Sequence, residues 1–158
     1  MLLVRGPSLF KGYLNYDGPS PFVEYQGCHW YRTGDLVSEN EQGVLTFLGR
    51  LKRFVKLGGE MISLPAIEEV LKPHFDQDAD EGPVIAVHCT PDDEHPELVV
   101  FTTRETDRDT LNKYIREAGL SALHNIRKVI RVEQIPVLGT GKTDYRELAR
   151  MLSVEDMV

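Results

Sequence analysis

From position 52 onward the chain alternates between two hydrophobic periods. Leu64, Ile67 and Leu71 recur at three- and four-residue spacing behind Ser63, which predicts a helix capped by Ser63 and ended by Pro73. The apolar runs PVIAVHC (83–89) and ELVVFTT (97–103) flank the polar turn PDDEHP and predict a β-hairpin. Thr106 with Asp109 three residues on forms an aspartate version of a capping box. The helix it opens has a stripe of Leu111, Tyr114, Ile115 and Ala118, and Gly119 closes it. KVIRVEQI (128–135) predicts a third strand, and Asp144 with Glu147 opens a last helix carrying Tyr145, Leu148, Met151 and Leu152.

The first fifty residues follow another pattern. They are rich in Gly, Pro, Tyr and Trp, with short β-leaning runs and no helical period. GVLTFLGR (43–50) and RFVKLGG (53–59) are strand-like, with ENEQG before the first as a turn, and the polar break at Leu51-Lys52 invites a boundary. The expected fold is α+β: a β-rich piece over residues 1–51, then a unit over 52–158 with about three strands in a sheet, helices and a β-hairpin at its entrance. Fifty residues offer little core, so the first piece reads as part of something larger.

Composition narrows the function. The 158 residues are 41% apolar and 27% charged, with 18 basic against 25 acidic side chains and a formal charge of −7. That balance argues against nucleic acid as the main partner. The basic runs GRLKRFVK and NIRKVIRV are, on composition alone, solvated faces. No run reaches the roughly 18 to 20 apolar residues that span a bilayer, and MLLVRGP is too short for a secretory signal. Cys28 and Cys89 make no disulfide framework, so the expected setting is the cytoplasm.

Several motifs tempt and fail. Gly-Thr-Gly-Lys-Thr (139–143) suggests the phosphate loop G-x-x-x-x-G-K-[ST], but the first glycine position is Pro136. Only sixteen residues follow Lys142, too few for the strands such a domain needs downstream. A lysine ahead of a helix N-terminus remains a sensible anion probe, with a solvated turn lysine as the plain alternative. His88 and Asp93 match H-x-x-x-x-D, a pattern loose enough to arise by chance. Cys28-His29 and His88-Cys89 are adjacent pairs whose side chains point to opposite faces of a strand, which does not make a zinc site. There is no G-x-S-x-G elbow.

Three stretches together, WYRTGDLV (30–37), GRLKRFVKLGGEMISLPAIEE (49–69) and PVLGTGKTDYREL (136–148), resemble the last motifs of the adenylate-forming enzymes. That superfamily holds acyl-CoA synthetases, luciferases and peptide-synthetase adenylation domains. The opening LLVRGPSLFKGYLN is similar to the motif before them, so the resemblance covers essentially the whole chain. Within the superfamily the wording is most similar to the C-terminal part of a bacterial bifunctional type, the 2-acylglycerophosphoethanolamine acyltransferase/acyl-acyl carrier protein synthetase. That type would put the parent at the cytoplasmic face of the inner membrane.

The resemblance implies roles. Asp35 would hold the ribose hydroxyls of ATP and Arg50 would support the same nucleotide; Lys52 takes the hinge position, where many relatives have Asp. Lys142 matches the adenylation lysine, bridging a fatty-acid carboxylate and the α-phosphate. Lys56, Gly58, Gly59 and Glu60 match the loop that meets the incoming thiol in the second orientation, where glycine lets a pantetheine arm pass close to backbone. ATP and Mg²⁺ would be the parent's cofactors, with fatty acid as substrate and an acyl carrier protein or CoA as acceptor.

Departures bear on the acceptor. Met61 stands where many relatives are basic, Ser63 where many are acidic, and Gly58 replaces a frequently basic side chain. Fewer basic contacts favour an acidic carrier protein, which GRLKRFVK would attract, over a nucleotide-bearing acceptor. The Ser/Thr/Gly-rich loop that grips ATP phosphates and the fatty-acid pocket belong to a large N-terminal domain missing from these residues. The 158 residues alone are therefore expected to be inactive and to need that domain as partner. The rival reading is a free-standing binding or regulatory module that uses the same lid fold.

Overall fold

The computed structural model describes residues 1–75, 82–92 and 94–155, the side chains of 154 and 155 excepted. The chain folds as two compact units, Met1–Arg53 and the segment from Phe54 onward.

The first unit is all β. Strands β1 (Leu3–Val4), β2 (Phe22–Tyr25) and β3 (Cys28–Arg32) form an antiparallel sheet in the order β1-β3-β2. Strands β4 (Asp35–Glu39) and β5 (Leu45–Arg50) form a separate hairpin. Its turn is the expected ENEQG. The Asn40 side chain accepts from the backbone N–H groups of Gln42 and Val44, and Gly43 takes a φ of 76° that a side chain would resist. The strand-like run starts at Leu45 rather than Gly43, because those two residues are still closing the turn. A single 3-10 turn, Leu51–Arg53, ends the unit.

The second unit begins with a hairpin of β6 (Phe54–Leu57) and β7 (Glu60–Ser63). Its two-residue loop is Gly58-Gly59, with φ of 54° and 90°, the pair of positive values that a type I′ turn requires. The predicted strand 53–59 therefore shortens to four residues, and the sequence pattern predicts no strand over its partner β7. Helix α1 (Leu64–Leu71) starts as expected: the Ser63 hydroxyl accepts from the Ala66 N–H at 3.3 Å, and Pro65 lies in the first turn, where no donor is needed. Beyond Leu71 the chain tightens into a 3-10 turn containing Pro73.

Strands β8 (Ile85–Cys89) and β9 (Leu98–Thr102) are the predicted antiparallel hairpin, and β10 (Lys128–Arg131) joins β9 in parallel. The sheet order β10-β9-β8 makes β9 central, and every residue of Leu98–Thr102 is buried. That is why β9 reads as a continuous apolar run instead of an alternating one. Leu98 and Val100, with Ile85 and Val87, join Leu64, Ile67 and Leu71 of α1 and Leu111 and Ile115 of α2 (Arg108–Glu117) on one face. Val99 and Phe101, with Ala86, join Leu148 and Leu152 of α3 (Tyr145–Glu155) on the other. Each such side chain contributes about 1.5 to 3 kcal/mol when fully buried.

Three expectations need correction. The cap of α2 is Asp107 rather than Thr106: its carboxylate accepts from the Thr110 N–H and hydroxyl, each at 2.9 Å, so the cap is shifted by one. Ala118 lies exposed at the end of α2, and Asn112 takes the buried place instead. Asn112 belongs inside because its amide pairs with both backbone groups of Ile126, at 2.7 and 3.1 Å. The third strand stops at Arg131, although Ile135 beyond it is buried against α3.

Candidate functional site

In the first unit Asp35 and Arg50 are brought together. They are facing partners across the β4–β5 ladder, and Arg50 Nε stands 2.8 Å from Asp35 Oδ1. Arg50 also donates to the Thr33 carbonyl at 3.0 Å, and the Thr33 hydroxyl accepts from the Asp35 N–H at 3.0 Å. Asp35 is only 20% exposed and its Oδ1 is buried, yet that oxygen accepts no well-aligned hydrogen bond. The short contact is thus a charge contact whose N–H points elsewhere. A diol meeting this carboxylate must use the other oxygen or displace Arg50.

Lys52 lies exposed in the 3-10 turn, one residue before the end of the first unit. Lys56, Gly58, Gly59 and Glu60 lie together on the β6–β7 hairpin, all exposed. A Cβ at Gly58 would stand 3.1 Å from Leu123 Cδ2, whereas one at Gly59 would meet open space. The hairpin tip therefore rests on Leu123 at Gly58 and is free at Gly59. A hollow of about 280 Å³ beside it is walled by Lys56 and Gly58 and by Glu94, His95 and Glu97 of the β8–β9 turn. In that turn Asp92 accepts from the backbone N–H groups of His95 and Glu94, which lowers its pKa below the ordinary 3.8. Asp93, the partner proposed for His88, lies outside the described residues. His88 Nδ1 sits 2.9 Å from the Cys89 N–H. Among the described residues no group of three His, Cys, Asp or Glu is placed to hold a metal ion. No helix among them is long and apolar enough to cross a membrane.

Lys142 is exposed on a loop closed by its own backbone. Val137 bridges Thr143, the Leu138 N–H donates to the Lys142 carbonyl at 2.7 Å, and the Asp144 N–H donates to the Pro136 carbonyl at 2.8 Å. The loop leads into α3, but the N-terminus of α3 is already taken. Asp144 accepts from the N–H groups of Arg146 and Glu147 at 3.0 and 3.2 Å. Its carboxylate also offsets the helix dipole, so this end is no phosphate cradle and the ammonium of Lys142 acts alone.

Lys56 lines a hollow of about 390 Å³ that Ala149 and Ser153 of α3 also line, and Lys142 is not part of its wall. The hairpin of Lys56 packs Val55, Leu57 and Ile62 into the core on one face of the sheet, while the helix that follows Lys142 packs on the other. Pattern reading missed Glu68. It is 5% exposed, accepts from the Val87 N–H at 2.8 Å, and stands 3.0 Å from the Tyr145 hydroxyl at each oxygen. Its signal was a carboxylate inside the apolar stripe of α1.

No family model matches the chain. It is 31% identical over 160 residues to 4-coumarate--CoA ligase-like 6 of Arabidopsis thaliana, covering 96% of this chain and 26% of that protein. It is 27% identical over 155 residues to triostin synthetase I of Streptomyces triostinicus, covering 97% of this chain and 28% of that protein. Its fold matches the crystal structure of ATP-bound MatB from Rhodopseudomonas palustris with a TM-score of 0.69 and 24% identity, over 94% of this chain and 29% of that one. The chain thus spans little more than a quarter of each of these three. Along nearly its whole length the chain is similar to the C-terminal region of adenylate-forming, AMP-binding ligases, among them CoA ligases and nonribosomal peptide synthetases.

Proposed function

We propose that this chain is the mobile C-terminal part of an ATP-dependent fatty acyl ligase. The ligase would join a fatty acid to AMP, releasing pyrophosphate, and then pass the acyl group to the thiol of an acyl carrier protein or CoA. The observation that carries this reading is that the hairpin around Gly58-Gly59 packs on one core of the sheet while α3, the helix that the exposed Lys142 loop leads into, packs on the other. Two groups so placed serve one active site in turn if the rigid unit rotates between half-reactions, and the exposed 3-10 turn around Lys52 is a short segment able to absorb that rotation. The finer assignment, a bifunctional lysophospholipid-reacylating enzyme with carrier protein as acceptor, rests on the motif resemblance and on the absence of basic side chains at Gly58 and Met61.

In the first orientation the ammonium of Lys142 lies between carboxylate and α-phosphate, offsetting their repulsion and stabilising charge as pyrophosphate leaves. Asp35 and Arg50 would bind the ribose side of the nucleotide. Mg²⁺ would neutralise the phosphates. In the second orientation the bare backbone of Gly59 gives a pantetheine arm room beside Lys56.

The test is a separation of half-reactions in a full-length ligase carrying this chain. Lys142→Ala should abolish ATP–pyrophosphate exchange while leaving thioester formation from preformed acyl-adenylate intact. Gly59→Leu should do the reverse. A Lys142→Ala enzyme that still exchanges pyrophosphate at the parent rate would sink the reading. Charge reversal at Arg53 and Lys56 should slow transfer to carrier protein more than transfer to CoA, and equal slowing would remove the carrier-protein preference.

A further inference from the structure

We propose that Glu68 and Tyr145 are positioning residues that set the direction in which Lys142 is presented; this rests on the adenylation role given to Lys142 above. Glu68 is almost fully buried in the stripe of α1 that faces the sheet. There it accepts the Val87 N–H, a donor on the side of β8 that turns away from β9, at 2.8 Å. The Tyr145 hydroxyl donates into the same carboxylate, 3.0 Å from each oxygen. Residues 77 positions apart are thereby tied across the edge of the sheet, joining a helix of one face to a helix of the other.

Tyr145 is the first residue of α3 and stands three positions after Lys142. Both residues between them are pinned by backbone: Thr143 bridges Val137, and the Asp144 N–H is held by the Pro136 carbonyl. Little slack separates the phenol from the ammonium-bearing residue. The apolar contacts of Leu148 and Leu152 fix how deep α3 sits, but such contacts are non-directional and resist rotation about the helix axis weakly. A phenol aimed at a buried carboxylate is directional and supplies that restraint. Stability alone does not require it, since apolar residues of similar volume serve as well at a buried polar pair.

The experiment uses Tyr145→Phe, which keeps the ring and removes the hydroxyl, in a full-length ligase carrying this chain. Adenylation should fall about 10- to 100-fold, the scale set by misplacing a reacting group by about 1 Å, while thiol transfer from preformed acyl-adenylate stays at the parent rate. Glu68→Gln keeps an acceptor for Val87 and a partner for the phenol, and should lose less. Equal falls in both half-reactions would mean a merely structural role and would overturn the proposal, as would unchanged adenylation. If Tyr145→Phe does not fold, Glu68→Gln is read on a smaller scale: a fall of a few-fold in adenylation alone supports the proposal, and an equal fall in both half-reactions, or none, overturns it. Lys142→Ala run alongside separates the premises: if it leaves adenylation intact, the role of Lys142 fails. In that case amide order parameters of Gly139–Thr143 in the 158-residue chain decide about the brace. They should drop in Tyr145→Phe while those of α1 hold, and unchanged values overturn it.

Discussion

The two units of this chain are built on opposite terms. Among the described residues every fully buried apolar side chain lies after Arg53. The second unit closes two cores on one sheet, and its central strand β9 faces both. The first unit has as many strands, five, likewise in one three-stranded and one two-stranded sheet, yet it leaves Phe47 62% and Leu48 51% exposed. What holds it is ladder hydrogen bonding and a half-exposed aromatic group in which Phe10, Phe22 and Tyr31 meet at 5.4 to 5.9 Å between centroids. Strand content is therefore a poor guide to self-sufficiency; a sheet with both faces covered is a better one.

The contrast is sharpest if the units are separated. Residues 54–158 expressed alone should unfold in a single cooperative step in urea, and residues 1–53 alone should show no such step; cooperative melting of 1–53 would break the comparison. Next in size, Phe101→Ala should cost about 3 to 5 kcal/mol by urea denaturation, because Phe101 is fully buried between β9 and α3. Phe47→Ala in the first unit should change stability by less than about 0.5 kcal/mol. A smaller effect separates two neighbouring glycines. Gly58→Ala combines a positive φ with a 3.1 Å contact to Leu123 and should cost more than about 1 kcal/mol, while Gly59→Ala, with open space around it, should cost less. Equal costs would mean that φ alone decides.

The smallest effect concerns acid. Asp107, at the start of α2, has its pKa lowered below the ordinary 3.8 by the Thr110 N–H first and the Thr110 hydroxyl second. A lowered folded-state pKa means that the cap's contribution is fully present above the ordinary value. It is lost as pH falls through the lowered one. In a melting series from pH 5 to pH 2, Asp107→Asn should flatten the acid limb slightly, and an unchanged limb would show that this cap does not contribute to it.

Much of the second unit was legible because its cues are local. Ser63, Asp144 and Gly119 do at helix ends what their chemistry favours, and the apolar runs of β8 and β9 carry their own boundaries. The cap of α2 slipped by one because Thr106 and Asp107 are both good capping residues and sequence does not rank them. Ala118 misled because its spacing fits the stripe although the helix ends there. The pairing of Asp35 with Arg50 was legible only as two motif positions; their contact follows from the hairpin register. Glu68 left only the trace of a carboxylate inside an apolar stripe, and its pairing with Tyr145 left none, since a hydrogen bond across 77 positions has no period.

Because β9 serves as the shared wall of both cores, neither face can open without stripping cover from the other. The amides of Val99, Val100 and Phe101 should then exchange with solvent hydrogen only through global unfolding, and with one common free energy of opening. A unit of this kind behaves as a stiff lever: force or angle applied at its entrance hairpin arrives at the far loop undiminished by local melting. Variants that soften β9 would thus blunt both ends of the lever together, whichever of its two tasks is measured.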